Sequence, residues 1–518
     1  MKTTLPTRAQ AVETSDAPRR VRGSLRLQLQ IKERRLLLAF GDACMLILAG
    51  ITALRLWAWA RGDAHSVGSL AEAYWPWLAL SAAVWAAFWA AAGAYDLRLA
   101  ARLRATAQRV FATAGCWTAA YFLVFFVLSA PPHALRSQLL VPHVQPLRLL
   151  PTLFAALAAV AVQGWRALYA SVLAGQRFTR RALVVGAGWA GRTIAEALCN
   201  QGDSSYQVVG FVDDDPLKQY VLLQERENDT AEPNDVACSR DLPVLGTHHS
   251  LRALVQQYEV STLVLAITHE IDARLFASLM DCLAQGVEIL PMPLLYEELT
   301  GRVPVEHVGG NWYVALPLHH PGTSGLWPLA KRAIDLAVAA CALPWLGLLI
   351  APIAVAIRLD SPGPLFYSQE RVGKAGRVFR IYKFRTMVVN AENNGAAWAQ
   401  ENDPRVTRVG RFLRRTHLDE LPQLYNILRG DMSIVGPRPE RPEFVAQLER
   451  EIPFYRLRHA VRPGAAGWAL IHQGYSASKE DALLKLQYDL YYIKHQSLWL
   501  DAEILFKTVL TMLSLRGR

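Results

Sequence analysis

Four apolar stretches of roughly twenty residues lie in the first third of the chain, at 36–60, 73–95, 111–130 and 149–173. Each is long enough to cross about 30 Å of hydrocarbon as a helix. Arginines cluster on one side of these stretches, as at Arg34, Arg98 and Arg177. The positive-inside rule assigns that side to the cytosol, and the pattern therefore predicts four transmembrane helices.

After residue 181 the pattern changes to short β-branched runs that alternate with helical segments. Gly186, Gly188 and Gly191 form a G-x-G-x-x-G turn between a predicted strand and a predicted helix, and Asp213 follows the next strand. Backbone N–H groups at such a turn can hold a pyrophosphate, and an acidic residue at that position can bind a ribose. The pattern predicts a doubly wound, Rossmann-like α/β domain. Two interpretations of the glycines stay open, a weak nucleotide site and a turn kept for packing.

A second kind of apolar run follows Lys331 and Arg332 and contains two prolines, Pro344 and Pro352. Proline removes a backbone hydrogen bond inside a helix, so the run should kink. A straight crossing would place the polar remainder of the chain outside the cytosol. We therefore predict a re-entrant membrane helix, with Lys331 and Arg332 at the level of lipid phosphate and Asp335 as their structural partner.

A long polar segment, residues 405–442, carries most of the candidate chemistry. Its charged and amide side chains recur three to five residues apart, which predicts adjoining faces of one helix; they are Arg411, Arg414, Arg415, Asp419, Glu420 and Gln423. A solvated helix face is the alternative. Pro437 and Pro439 favour a phosphate-binding site over a solvated face, because they fix the backbone around Arg438. Arginine suits bidentate binding of phosphate.

Charge and cysteine usage narrow the function classes. The formal net charge is +11, which suits anionic partners such as lipid head groups or nucleotides. The basic residues concentrate at membrane borders and around two carboxylates, which argues against nucleic acid as a partner. No cysteines occur at zinc-ligand spacing, so structural zinc is not expected.

Several long motifs of the C-terminal third resemble the polyprenyl-phosphate hexose-1-phosphate transferases, the monotopic phosphoglycosyl transferases of the bacterial sugar transferase family. They are KFRTM, THLDELPQLYNILRGDMSIVGPRP, VRPGAAGWA and LQYDLYYIKHQSLWLD, in that order. The resemblance implies that Asp419 attacks the phosphate nearest the sugar and forms a covalent phosphosugar intermediate. It also implies that Glu420 ligates Mg²⁺, and that Lys383, Arg385 and Arg438 stabilise charge on the diphosphate. Pro352 would match the helix-breaking proline of the family's re-entrant segment.

By the same resemblance Arg414 would meet the lipid phosphate and Gln423 would position the carboxylates. Together with residues argued from their own positions, the predicted substrate-binding set is Lys331, Arg332, Arg414, Arg415, Gln423, Pro437 and Pro439. The implied partners are a UDP-sugar, undecaprenyl phosphate and the phospholipid bilayer, and a homodimer is an option. The implied setting is the bacterial inner membrane, with the catalytic domain cytosolic, in exopolysaccharide, capsule or O-antigen synthesis.

The expected protein is thus a multi-domain membrane protein with a four-helix transmembrane bundle, a Rossmann-like α/β domain and an α-rich catalytic domain with a re-entrant membrane helix. The predicted segments are a disordered cytosolic tail (1–35), the transmembrane helices (36–176), the α/β domain (177–300), a linker (301–325), the re-entrant helix (326–360) and the catalytic domain (361–518). Two rivals remain. The first is a membrane-bound nucleotide-sugar oxidoreductase or epimerase centred on the glycine turn, and the absence of a Tyr-x-x-x-Lys pair from the α/β segment weighs against it. The second is a non-catalytic assembly scaffold, which would leave the polar motifs around Asp419 and Arg438 without a purpose.

Overall fold

The structure is a computed structural model whose described residues cover most of the chain. They are 31–60, 79–86, 88–89, 93–95, 100, 103–129, 149–173, 180–199, 206–218, 242–269, 271–305, 327–389, 403–473 and 478–513. Most of the predicted tail (1–35), most of the predicted linker (301–325) and much of the predicted span at 73–95 lie outside these residues.

The described part of the N-terminal third includes the apolar helices α1 (Ile31–Ala60), α2 (Leu103–Ser129) and α3 (Leu149–Leu168), which continues as a π-helical turn. Residues 79–86 and 88–89 are helical as well. Among the described residues, Glu33–Ala60 and Leu150–Ser171 are long and apolar enough to cross a membrane. They match two of the four predicted spans. A third prediction falls within α2, which packs on α3. The four-helix bundle as a whole stays a prediction.

A buried ion pair joins α1 to α3. Arg166 donates from Nε to Oδ1 of Asp42 at 3.1 Å and also from Nη2 to Oδ2, and Trp89 donates to the same carboxylate at 2.8 Å. Arg166 also donates to the carbonyl of Ala94 at 2.7 Å. Asp42 lies early in α1 and Arg166 lies late in α3. The pair therefore ties the first half of α1 to the end of α3.

We expect Asp42→Asn to lower the free energy of unfolding by about 3–5 kcal/mol, because it leaves the buried Arg166 cation without its counter-ion. Thermal unfolding of the purified protein in detergent measures this. Asp281→Asn, at an exposed position, is the control and should unfold like the wild type. The double variant Asp42→Leu/Arg166→Met should recover most of the lost stability. If Asp42→Asn were as stable as the wild type, the buried ion pair would not stabilise the contact between α1 and α3.

The middle of the chain forms a parallel five-stranded sheet, in the order β3-β2-β1-β4-β5. The strands are β1 (Arg180–Val185), β2 (Tyr206–Val212), β3 (Val244–Gly246), β4 (Thr262–Leu265) and β5 (Glu288–Pro291). The helices around it are α4 (Trp189–Cys199), α5 (Leu251–Gln257), α6 (Ala273–Ala284) and α7 (Met292–Thr300). Alternate β1 residues face opposite cores, Val184 toward Ile194 and Leu183 toward Leu279. The predicted Rossmann-like domain is confirmed.

The C-terminal lobe begins with α8 (Trp327–Asp360) and an antiparallel ribbon of β6 (Phe366–Val372) and β7 (Val378–Phe384). Its further helices are α9 (Arg408–Arg415), α10 (Gln423–Arg429), α11 (Pro442–Glu451), α12 (Trp468–His472), α13 (Lys479–Lys494) and α14 (Leu498–Leu513). Two short strands, β8 (Ser433–Val435) and β9 (Gly464–Ala466), pair in parallel. Buried residues of α13, such as Leu486 and Leu490, lie in the largest core of this lobe.

The prediction of one long helix over residues 405–442 is wrong. α9 ends before His417, which adopts a left-handed conformation with φ +56°, and a single 3₁₀ turn, Leu418–Glu420, follows. Pro422 then precedes α10. Because the chain turns at His417, the arginines of α9 and the carboxylates after it do not share one helix.

Helix α8 bends by 55° between Pro344 and Leu346, beside the first proline rather than at Pro352 as predicted. Both ends of α8 are bonded to the C-terminal lobe. Near its start Arg332 donates to carbonyls at the end of α10, and at its end Asp360 accepts from the backbone N–H of Val409 at 2.8 Å. Both ends of α8 therefore contact the same lobe.

The α/β domain and the C-terminal lobe are bonded directly to each other. Glu297 of α7 accepts from Lys494 at 2.8 Å and contacts His495 at 3.1 Å. Trp468 of α12 donates to the carbonyl of Gly301 at 2.9 Å. These partly buried contacts join the two units.

Candidate active site

Two adjacent carboxylates, Asp419 and Glu420, occupy the 3₁₀ turn between α9 and α10. The left-handed His417 reverses the chain just before them. Asp419 is 7% exposed and faces the lobe, and the Glu420 side chain is 15% exposed. A carboxylate pair so close to the interior must be compensated by cations, because burial disfavours ionised groups.

Two cations from distant parts of the chain meet at Glu420. Lys383 of β7 donates to Oε1 at 2.7 Å, and Arg438 donates to the same oxygen at 2.8 Å. Burial alone would raise the pKa of Glu420, but Arg438 and Lys383 outweigh it and hold that pKa well below its usual range. Glu420 is therefore ionised at neutral pH and keeps both cations beside the pair of carboxylates Asp419 and Glu420, called the dyad below.

Asp419 has the opposite electrostatic environment. Burial raises the pKa of its carboxyl, and the negative charge of Glu420 adds to the rise. Lys383, Arg414 and Arg438 offset only part of it. Asp419 is thus a more basic carboxylate than an ordinary aspartate, beside a carboxylate that is permanently charged. Paired groups whose pKa values diverge are characteristic of reacting centres.

Lys383 is positioned by the β6–β7 ribbon and by Asn426. Tyr367 lies opposite Lys383 in the ribbon. Asn426 of α10 accepts from the N–H of Tyr382 at 3.2 Å and donates to the carbonyl of Arg380 at 2.7 Å. The amide thereby locks α10 to β7. Sequence reasoning missed Asn426, although it stands inside one of the quoted motifs.

Arg385, predicted to act on the diphosphate, is bonded to the turn that follows α8. It donates to the carbonyls of Ser361 at 2.6 Å and Pro362 at 3.0 Å. Gly363 has φ +128°, and a Cβ there would overlap the Arg385 guanidinium. In this structure Arg385 therefore anchors the turn; its predicted contact with substrate stays a prediction.

The remaining predicted residues of the lobe fall around the dyad at different depths. Arg414 donates from Nε to the hydroxyl of Thr386 at 2.9 Å, and Arg415 is exposed on α9. Gln423 is buried at the start of α10. Pro437 and Pro439 are buried on either side of Arg438. Their substrate-binding roles stay predictions.

The cations at the start of α8 are engaged by protein groups. Lys331 forms an ion pair with Asp501, and Arg332 donates to the carbonyls of Ile427 and Leu428 at 2.6 and 2.8 Å. Binding of lipid phosphate by either cation would require these contacts to break. The predicted partnership with Asp335 is wrong, because Asp335 accepts from Ser433 and from the N–H of Ile434.

The glycine turn of the α/β domain lines a cavity of about 500 Å³ at the carboxyl ends of the strands. Gly186 has φ +107°, and Gly191 lies too close to the carbonyl of Gly186 for a Cβ; Gly188 has open space. Asp213 accepts from the N–H of Ala187 at 2.7 Å and pairs with Lys218 at 3.1 Å. Two glycines are thus explained by backbone geometry and packing, and nucleotide binding stays a prediction.

Two family models match the chain, one for bacterial sugar transferases over residues 326–515 and one for a CoA-binding domain over residues 90–293. A relative from Aeromonas hydrophila, named UDP-N-acetylgalactosamine-undecaprenyl-phosphate N-acetylgalactosaminephosphotransferase, is 47% identical over 45% of this chain and 54% of its own length. A UDP-glucose:undecaprenyl-phosphate glucose-1-phosphate transferase from Escherichia coli K12 is 43% identical over 38% of this chain and 43% of its own length. The chain thus spans about half the length of these two relatives.

A third relative, the exopolysaccharide production protein PSS of Rhizobium leguminosarum, is 41% identical over 36% of this chain and 96% of its own length. Nearly the whole of that protein is matched, and the sugar transferase model covers the lobe that holds Asp419 and Glu420. The chain belongs to the bacterial sugar transferase family.

Proposed function

We propose that this protein transfers a hexose 1-phosphate from a UDP-sugar to undecaprenyl phosphate and releases UMP. The observation that carries this proposal is the buried Asp419, with its raised pKa, beside a Glu420 that gathers Lys383 and Arg438. A basic carboxylate under two phosphate-binding cations suits attack on a diphosphate. The relatives' names describe transfers of this kind.

The chemistry divides into two displacements at one phosphorus. An oxygen of Asp419 bonds to the phosphorus nearest the sugar, and the bond from that phosphorus to the bridging oxygen breaks, so that UMP leaves with the bridging oxygen and its electron pair. A phosphate oxygen of undecaprenyl phosphate then bonds to the same phosphorus, and the bond to Asp419 breaks. The carboxylate is restored, and undecaprenyl-diphosphate-sugar is the product.

Lys383 and Arg438 offset the charge that builds up on the departing UMP. Both stand within hydrogen-bond distance of Glu420 and adjoin Asp419. Fixed cations in a partly desolvated site stabilise such charge without reorganising, and one such donor is typically worth about 10²–10³ in rate. The pair is therefore suited to the displacement of UMP.

The dyad also fits Mg²⁺, which takes one or two carboxylates together with substrate phosphates. Both cations contact Oε1 of Glu420, and Glu420 is the residue that would hold the metal. Within the described residues no cluster of three or more His, Cys, Asp or Glu side chains could hold a metal by itself. A bound Mg²⁺ would supply charge neutralisation on the diphosphate.

The proposed setting is the bacterial inner membrane, with α8 as a re-entrant helix and the lobe in the cytosol, where UDP-sugars are made. The bonds of Arg332 and Asp360 at opposite ends of α8 support this topology. They tie both ends of an apolar helix to one polar lobe, which lies on one side of the bilayer. The proposed role is the first membrane step of exopolysaccharide, capsule or O-antigen synthesis.

We expect cysteines placed at both ends of α8 to react only from the cytosol. Leu329→Cys and Leu359→Cys, at positions 69% and 83% exposed, are introduced singly after serine replaces the native cysteines. A membrane-impermeant maleimide should label both only in permeabilised cells, whereas Arg61→Cys, on the predicted outer side, should react in intact spheroplasts. Labelling of Leu359→Cys in intact spheroplasts would show that α8 crosses the membrane.

The test of the function is UMP release by purified protein supplied with a UDP-sugar, undecaprenyl phosphate and Mg²⁺. The donors in the relatives' names, UDP-N-acetylgalactosamine and UDP-glucose, come first in the panel. Release of UMP together with a lipid-linked sugar is the expected result. Reduction of a nicotinamide cofactor without UMP would favour an oxidoreductase centred on the glycine turn.

A further inference from the structure

The loop that presents Arg438 is held through its own backbone. Each of four consecutive carbonyl oxygens, from Pro437 to Glu440, accepts a hydrogen bond. The donors are Gly464 N (2.9 Å), Arg458 Nη2 (2.9 Å), Arg371 Nη1 (3.1 Å) and Val372 N (2.9 Å), in the order of the carbonyls. Two of these four donors are side-chain cations, Arg458 and Arg371.

Arg458 is itself fixed by two further contacts. Its guanidinium donates to Asp489 of α13 at 2.8 Å and to the hydroxyl of Tyr455 at 2.6 Å. The side chains of Arg458 and Asp489 are 2% and 1% exposed. Arg371 is held in turn by Gln369 at 2.8 Å and lies 3.6 Å from Glu440. Both cations therefore reach the loop from rigid surroundings.

Stability alone gives a weak reason for this arrangement. A buried ion pair such as Arg458–Asp489 loses so much hydration that apolar replacements of similar volume are often neutral or stabilising. What apolar side chains cannot do is donate to a carbonyl oxygen. A contribution to stability therefore does not explain why the buried residue is an arginine, whereas its hydrogen bond to the carbonyl oxygen of Arg438 does.

We infer that Arg458, oriented by Asp489, and Arg371 are positioning residues that set the direction of the Arg438 guanidinium toward the reacting phosphate. The inference rests on the proposed function, because it assigns Arg438 to the transfer step. A misplacement of about 1 Å at a reacting centre can cost roughly a hundredfold in rate. Small rotations of the loop, carried to the end of a long side chain, are of that size.

A double-mutant cycle between positions 458 and 438 tests the inference. Arg458→Lys keeps a cation beside Asp489 but removes the planar fork that reaches three acceptors at once. We expect it to lower kcat for UMP release about tenfold or more with little change in KM for the UDP-sugar. In an Arg438→Ala background the same substitution should change kcat less than about twofold, because its effect acts through Arg438.

Arg371→Met supplies a second cycle at a less buried position, its side chain being 20% exposed. It removes the donor to the carbonyl of Pro439 and should also lose its effect when Arg438 is alanine. Lys494→Met is the matched control, since Lys494 is 17% exposed and pairs with Glu297 away from the dyad. Its effect on kcat should be small and the same in both backgrounds, and the melting temperature of every variant is measured alongside.

Coupling in either cycle supports the positioning role, and if Arg458→Lys does not fold, the Arg371→Met cycle decides. Equal fold-losses in the wild-type and Arg438→Ala backgrounds would overturn the role and leave both cations as structural residues. Full kcat in Arg458→Lys and in Arg371→Met would do the same. Failure of the wild-type protein to release UMP from any donor would overturn the proposed function, and the positioning role with it.

Discussion

Replacing Asp419 by asparagine is expected to lower UMP release by on the order of 10⁴-fold or more, the scale of losing a covalent nucleophile. The amide has nearly the shape of the carboxyl group but cannot form the bond to phosphorus. Lys383 and Arg438 remain held by Glu420 in this variant. UMP release in the presence of undecaprenyl phosphate measures the loss, and a phosphosugar adduct on the protein should vanish with it.

Folding does not confound this prediction, because the sign of the stability change is opposite to that of the activity change. The pKa of Asp419 is raised in the folded protein, so its ionised form destabilises the fold above that pKa. A neutral amide removes this penalty, and the melting temperature should stay equal or rise. Asp431→Asn is the control: its partner is Arg429 at 3.5 Å, and it should keep near wild-type activity. Full activity of the Asp419→Asn variant would contradict the proposed attack of Asp419 on phosphorus.

The second largest effect is expected for Glu420→Gln. The substitution removes the charge that draws Lys383 and Arg438 to one oxygen, and it weakens the proposed Mg²⁺ ligand. We expect UMP release to fall about 10²–10³-fold, the scale seen when a fixed transition-state donor is lost. A magnesium titration of UMP release should also show a higher half-saturating concentration.

Glu370→Gln is the matched control for that experiment. Glu370 lies on the ribbon that carries Lys383, with its side chain 59% exposed and 3.9 Å from Arg380. Its replacement should leave both the rate and the magnesium dependence unchanged. If Glu420→Gln behaved like this control, then Glu420 would have neither the metal-binding role nor the role of gathering the two cations.

The parts of the fold that sequence reasoning predicted are those with a local period. The strand before Gly186 and the helix after it follow from β-branched and apolar spacing, and the parallel sheet follows from their alternation. The family resemblance assigned Lys383 and Arg438, which stand in separate motifs, to the diphosphate, and that role stays a prediction. Their shared use of a single carboxylate oxygen is a finding of the structure.

The errors arose where local signals conflict. Charges spaced three to five residues apart suggested one helix. In the structure His417 adopts a left-handed conformation after the first helix, and the next helix begins only after Pro422. A proline before Gln423 was visible in the sequence and outweighs the charge spacing. Long-range contacts left no such signal, since Asn426 reaches a strand 44 residues earlier and Arg458 reaches Asp489 31 residues later.

The bent helix α8, bonded at both ends to the lobe, has a consequence for how the two substrates meet. In the topology proposed above, a lobe fastened in this way keeps its carboxylate at one height relative to the bilayer plane. A polyprenyl acceptor is confined to that plane by its tail, so its search for the enzyme is two-dimensional and depends on its surface density. The water-soluble donor arrives by diffusion in three dimensions, so the proposed reaction depends on the surface density of one substrate and on the bulk concentration of the other.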